Sequence, residues 1–360
     1  MLNTIDPDNY QQQLKHKLER LKNQFAGLEL PQISVLASEP LNFRMRAEFR
    51  IWHEDGQAHY AMNRPGEKRP YRIDNFPIAS KLINQLMPAL LSEINASPVL
   101  SKRLFSVEFL SSLSGEVLIT LIYHKPLNEQ WRTEAKTLSA KLSTGIIGRS
   151  RKQKVVLDKD YITERLQVGG RQYSYQQIEN SFTQPNARVN EKMLAWALNC
   201  SRNLGGDLLE LYCGNGNFTC VLAENFEKVL ATEISKISVR SAQHNFQANG
   251  IHNIVVVRMS SEEITQALNN VRPFRRLREI ALNNYNFSTV FVDPPRAGLD
   301  DETLELVSKF DNIIYISCNP DTLKENLDTL NKSHQVQQFA VFDQFPYTHH
   351  LECGALLKKR

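Results

Sequence analysis

From residue 180 onward the chain repeats one rhythm: a short apolar run, a turn, a segment of helix length, and another apolar run. The runs fall at 207–211, 229–232, 254–258, 289–292 and 313–317. Consecutive apolar residues suit strands buried on both faces, and helix-length connections are what parallel neighbours require. Residues 180–360 are therefore predicted to form an open, mostly parallel α/β sheet of Rossmann-like type. In such sheets ligands bind beyond the carboxyl ends of the strands.

Residues 1–179 are patterned differently. Tyr10, Leu14, Leu18, Leu21 and Phe25 recur at helical spacing and predict an opening amphipathic helix. Residues 43–52 alternate, with Phe43, Met45, Ala47, Phe49 and Ile51 on one face and Arg44, Arg46, Glu48 and Arg50 on the other. A helix is expected over 76–94 after Asp74. Runs at 104–110 and 117–123 flank the turn signal Ser-Leu-Ser-Gly and read as a hairpin. A helix over 129–142 and short strands near 154–157 complete an α+β half, so two domains are expected in 360 residues. Charge follows the same division. Residues 1–180 hold 25 Lys and Arg against 19 Asp and Glu, an excess of +6, while the remainder carries −2. The basic half is the one suited to a polyanion.

The five cysteines are odd in number and contain no C-x-x-C pair, and the first 199 residues hold none. Neither a disulfide framework, a zinc ribbon nor an iron–sulfur cluster is expected, and no metal is assigned. The start, MLNTIDPDNY, lacks the basic and apolar regions of an export signal, and no window has the roughly 18 apolar residues of a membrane span. A cytoplasmic protein without a membrane segment is the expectation, and a monomer is taken as its state.

Chemistry concentrates at the strand ends. Asp207-Leu-Leu-Glu-Leu-Tyr-Cys-Gly-Asn-Gly-Asn-Phe218 sets a glycine-bearing turn after a buried strand. Glu233 follows the next strand, where a carboxylate accepts hydrogen bonds from ribose hydroxyls. The turn lacks the third glycine of G-x-G-x-x-G, which favours S-adenosylmethionine over a pyrophosphate dinucleotide. Asp293-Pro294-Pro295-Arg296 fixes a carboxylate at another strand end, and its Arg296 stands where amine-directed methyltransferases carry an aromatic. A ring-carbon target is favoured instead. Methylating C5 of uracil needs a thiolate to add to C6 and a base to remove the C5 proton. Cys318, in Ile313-Ile314-Tyr315-Ile316-Ser317-Cys318-Asn319-Pro320, is the candidate nucleophile. Cys353 in His349-His350-Leu351-Glu352-Cys353-Gly354 is its rival and is read as structural, with Glu352 beside it as the base. His349 and His350 are read as packing or orienting residues.

At these motifs the chain resembles the RNA uracil-C5 methyltransferase family, in an organisation similar to its tRNA-acting bacterial members. The resemblance covers nearly the whole chain, through residues 43–52, 179–186, 210–218, 293–296, 316–320 and 342–354. It implies that Cys318 is the nucleophile, Glu352 the proton acceptor, and Gln184, Tyr212, Asn217, Glu233 and Asp293 the donor-binding set. Asp293 serves either the uracil or the amino-acid part of the donor. Relatives acting on ribosomal RNA often carry an oligonucleotide-binding barrel and a four-cysteine cluster, and this chain shows neither motif. The resemblance thus implies an S-adenosylmethionine-dependent methyltransferase domain preceded by an RNA-binding domain. The expected target is uridine 54 of the tRNA T-loop, with the T-loop of tmRNA as a second. A ribosomal RNA methylase, and a tRNA-binding or tRNA-folding protein with secondary methylation, stay as alternatives. A stacked T-loop base must be extruded before attack. Phe105 and His124 are expected to stack on the opened loop, and Arg44, Arg46 and Arg50 to contact RNA.

Overall fold

The computed structural model describes residues 5–63, 66 and 69–360, so residues 1–4 of the expected first domain lie outside it. Contacts divide the chain into two units that interleave in sequence. The first is built chiefly from Glu39–Arg165 and Gln177–Ala187, and the second from Asp8–Ser38, Leu166–Gln176 and Arg188–Arg360. A single cut at 179/180 therefore does not describe the packing.

The helix α1 (Tyr10–Gln24) forms as the periodicity predicts, burying Tyr10, Leu14 and Leu21. It belongs to the second unit, as does the short strand β1 (Ile33–Leu36). Next come β2 (Arg46–Glu54), β3 (Gln57–Met62), β4 (Tyr71–Arg72), β5 (Leu104–Ser111), β6 (Val117–Tyr123), β7 (Gly145–Ser150) and β8 (Gln153–Val156). They make the seven-stranded sheet of the first unit, in the order β4-β3-β2-β5-β6-β7-β8. All its pairings are antiparallel except β6–β7. Alternation in β2 holds: Ala47, Phe49 and Ile51 are buried, while Glu48 and Arg50 are exposed. The helix expected from residue 76 starts later, at Lys81–Ala96. Ser80, not Asp74, supplies the N-cap, its Oγ accepting from the Ile83 N–H at 3.3 Å.

A hairpin follows, β9 (Tyr161–Val168) and β10 (Arg171–Ile178). The second sheet then collects β11 (Asp207–Leu211), β12 (Val229–Thr232), β13 (Ile254–Val257), β14 (Phe287–Val292), β15 (Asn312–Ser317), β16 (His334–Phe342) and β17 (Glu352–Lys359). With β1 it runs β1-β16-β17-β15-β14-β11-β12-β13. The five strands read from the sequence are parallel, with β14 beside both β11 and β15. β17 alone runs against its neighbours. That reversal brings the start of β17 to the edge where β11, β14 and β15 end. Among the described residues, no helix is long and apolar enough to cross a membrane.

Candidate active site

The strand ends of the second unit gather the predicted chemistry. Leu211 pairs with Val292 and Val292 with Tyr315, so the chain leaves β11, β14 and β15 at one edge, into Tyr212, Asp293 and Cys318. Ser317 pairs with Cys353. One step further, that register sets Cys318 opposite Glu352, and Glu352 also pairs with Phe342 on its other side. Antiparallel pairing thus places a half-buried thiol beside a carboxyl that is 5% exposed.

The electrostatics follow from burial. Desolvation pushes Glu352 up to about 8, with the Asp293 charge adding to the rise and Arg296 opposing it. Burial likewise pushes Asp293 up to about 7. The Cys318 thiol is pushed up to about 11, first by burial, then by Glu352 and Asp293, against the pull of Arg296. A carboxyl near 8 is poised as a base at neutral pH, because its basicity is high while an ionised fraction remains. Cys353 is fully buried in the core cluster, its thiol pushed well above the usual range by burial, which removes it as a nucleophile.

Beside this pair is a built turn. Tyr212 has φ +61° and Gly214 φ +57°, and a Cβ placed on Gly214 would meet no atom within 4 Å. Gly216 is the opposite case: at φ +80°, a Cβ there would come within 2.6 Å of the Phe246 ring. One glycine leaves room for a ligand, and the other lets the turn press against the helix Lys236–Ala248. Glu233 accepts from the Gly214 N–H at 3.1 Å and the Ser235 N–H at 2.7 Å, one on each oxygen. Each oxygen keeps a lone pair for a ribose hydroxyl. The Asn217 side chain exchanges two 2.9 Å hydrogen bonds with Asn190, and the Asn217 backbone carbonyl accepts from the Tyr175 hydroxyl at 2.9 Å. Its amide therefore ties the turn down. Gln184 belongs to the first unit, where its buried Oε1 has no hydrogen-bond partner.

Two residues that the motifs did not single out stand here. Glu210, the penultimate residue of β11, is 1% exposed, its Oε2 is without a hydrogen-bond partner, and burial pushes its carboxyl up to about 8. Its signal is a lone carboxylate within an apolar strand. Ile234, just after Glu233, is 68% exposed, an apolar side chain next to that carboxylate in the chain.

In the first unit the expected RNA contacts separate into two groups. The ladder between β5 and β6 shifts register between Leu104 and Ser106, and this bulge re-aims Phe105. Its ring stacks on His124 at 4.2 Å and 22°, with the Arg50 guanidinium 5.6 Å from its centroid. Arg50 and His124 are exposed. Arg44 and Arg46 turn inward instead. Arg44 Nε donates to the Arg46 carbonyl at 2.8 Å, and Arg46 donates to the carbonyls of Glu179 at 2.7 Å and Ser181 at 3.0 Å.

The buried unpartnered carboxyl oxygen of Glu210, the open cradle at Gly214 and the acceptor pair on Glu233 fit a donor that carries a ribose and two positive centres. Fold and site together define a Rossmann-like, S-adenosylmethionine-dependent methyltransferase. A family model described as tRNA (uracil-5-)-methyltransferase matches residues 9–360. The chain is 60% identical over 351 residues to a Cellvibrio japonicus protein named tRNA/tmRNA (uracil-C(5))-methyltransferase, covering 98% of this chain and 96% of that one. To a Saccharophagus degradans protein of the same name it is 57% identical, covering 100% and 99%. The crystal structure of Pyrococcus abyssi tRNA (uracil-54, C5)-methyltransferase in complex with S-adenosyl-L-homocysteine superposes with a TM-score of 0.74 at 21% identity. That match covers 97% of this chain and 83% of the other, and it establishes the shared fold. The chain belongs to the tRNA (uracil-5-)-methyltransferase family.

Proposed function

We propose that the protein methylates C5 of uridine 54 in the T-loop of tRNA, and the matching loop of tmRNA, as a cytoplasmic monomer. The observation that carries this reading is the β15–β17 register, which puts Cys318 opposite Glu352 at the carboxyl edge beside Asp293. S-adenosylmethionine supplies an electrophilic methyl group. Cys318 Sγ, once deprotonated, adds to C6 of the uracil, and C5 of the adduct becomes the carbon that takes the methyl. Glu352 then accepts the C5 proton, the C5–C6 double bond re-forms, and Sγ leaves with the electron pair of the broken C–S bond. Arg296 offsets the negative charge that develops on the pyrimidine. Glu233 holds the ribose, Glu210 and Asp293 face the cationic centres of the donor, and Tyr212 and Asn217 complete the site within the second unit, Asn217 by fixing the turn; Gln184, on the first unit, is assigned to the donor by the family resemblance alone. The second unit is the catalytic domain, and the first, with Arg50, Phe105 and His124, is the RNA-binding domain.

The test is transfer of labelled methyl to unmodified tRNA, to its uridine-54→cytidine form and to ribosomal RNA. Incorporation into the uridine-54 tRNA alone is expected. Label in the cytidine-54 tRNA or in ribosomal RNA would replace this reading.

A further inference from the structure

The chemistry above leaves unused a groove between α1 and the turn at 345–350. Gln13, His16 and Arg20 fall at i, i+3 and i+7 of α1, and with Lys17, Tyr347 and Thr348 they line a solvent-open cavity of about 310 Å³. Lys17 is buried there, and its Nζ donates to Asp343 Oδ1 at 2.7 Å and to the carbonyls of Phe345 at 2.8 Å and His350 at 3.1 Å. Asp343, 1% exposed, neutralises it and accepts a hydrogen bond from the Tyr10 hydroxyl on its other oxygen at 3.0 Å. With that pair closed, no carboxylate among the described residues lines the cavity, and the basic side chains left facing solvent are Arg20 and His16.

The far wall is fixed in advance. Arg20 donates to the His349 carbonyl, Thr348 Oγ1 donates to the Phe345 carbonyl at 2.8 Å, and the His350 N–H donates to Thr348 Oγ1 at 3.2 Å. The Tyr347 ring leans on Tyr10 at 6.1 Å. A wall held this way loses little freedom when a ligand arrives. The same turn runs on through four residues from Thr348 to Glu352. Burial, His349 and Arg296 together hold the His350 imidazole below its ordinary range, which favours its neutral form.

We propose that this groove binds a phosphodiester of the RNA strand flanking the target uridine, with Arg20 and His16 on the phosphate oxygens and the Gln13 amide beside its ribose. The inference rests on the RNA-methylation reading and extends it to a phosphate contact on the catalytic unit. A volume at the low end of ligand sites, which span about 300–1,000 Å³, suits one phosphate and its sugar.

The experiment measures tRNA affinity over roughly 50–200 mM salt for wild type, His16→Glu, Arg20→Lys and Lys15→Glu, with S-adenosylmethionine affinity read on the same preparations. Lys15 is exposed and off the stripe, so its reversal changes net charge at least as much as His16→Glu without touching the groove. His16→Glu should weaken tRNA binding about tenfold at low salt and lower the slope of log Kd against log salt by about 0.9. Arg20→Lys should stay within about threefold of wild type, because charge and donor persist. Unchanged S-adenosylmethionine affinity certifies the fold. Equal effects of His16→Glu and Lys15→Glu, or none from His16→Glu, overturn the groove. So does inorganic phosphate that shifts the His16 imidazole resonance without competing with tRNA beyond its ionic strength. A wild type that binds S-adenosylmethionine yet leaves tRNA unmethylated would instead sink the function reading.

Discussion

On the seven-stranded sheet Glu179, 3% exposed, meets Arg149 through two 2.5 Å hydrogen bonds and Lys154 at 3.3 Å. At the edge of the eight-stranded sheet, Asp293 adds to the rise of both Glu210 and Glu352, and Arg296 offsets Glu352 alone of the three. The consequences run in opposite directions. Glu179 is held below the usual carboxylate range: burial opposes this, but the Arg149 hydrogen bonds and charge, with Lys154, outweigh it. The edge carboxyls are driven up to about 7 or 8 by burial that no partner offsets fully. A buried charge that has its counterion is part of the scaffold, whereas a buried acid without one is arranged for something that arrives.

The largest expected contrast comes from the thiol. Cys318→Ala should abolish methyl incorporation, by more than about 10³-fold, while leaving S-adenosylmethionine affinity and thermal stability close to wild type. A parallel loss of donor binding would show that Cys318 supports the fold. Next is the paired charge. Glu179→Gln removes the carboxylate that Arg149 and Lys154 share, though Lys154 keeps Asp160 at 2.6 Å, and should cost about 1–3 kcal/mol in denaturant unfolding. Glu352→Gln removes a carboxyl without a full partner and should cost little or nothing. Equal destabilisation by the two would erase the contrast.

The third test uses pH. The edge carboxyls have folded values above their unfolded ones, so their stabilising contribution is present below about pH 4 and is lost as pH rises through about 7 to 8. The ligand-free melting temperature should fall across that window, and Glu210→Gln should flatten the fall. A cationic donor prefers the ionised carboxylates. S-adenosylmethionine should therefore bind more tightly as pH rises from 6 to 8, with proton release, and a flat profile would remove Glu210 and Asp293 from its site. The smallest effect concerns the arginines. Arg50→Ala should lower the salt slope of tRNA binding by about 0.9 for one lost phosphate contact. Arg46→Ala should act on stability instead, because its guanidinium is already bonded to the carbonyls of Glu179 and Ser181.

Much of this layout was legible in the chain, for identifiable reasons. Buried parallel strands need uninterrupted apolar runs, so β11 to β15 were visible, and so were the turns that carry Glu233, Asp293 and Cys318. β17 was not, because its antiparallel insertion between β15 and β16 is set by pairing on both sides and not by any local pattern. Glu352 could be named from its motif, but its place opposite Cys318 comes from that register. α1 was read correctly as a helix, yet nothing local tells that Lys17 is buried against Asp343, 326 residues away. The same limit applies to Arg44 and Arg46. Alternation placed them on the sheet's open face, and long-range carbonyls then claimed Arg46, leaving the exposed Arg50 and His124 with the half-buried Phe105 between them.

The division of work between Cys318 and Glu352 is tested most directly by intact mass of the Glu352→Gln protein after incubation with S-adenosylmethionine and unmodified tRNA. With the thiol able to add and the C5 proton unable to leave, enzyme should accumulate as a denaturation-resistant adduct carrying both RNA and the transferred methyl. The Cys318→Ala,Glu352→Gln double variant should form none. Free 5-methyluridine-containing tRNA released at the wild-type rate, or an adduct that survives loss of Cys318, would contradict the assignment.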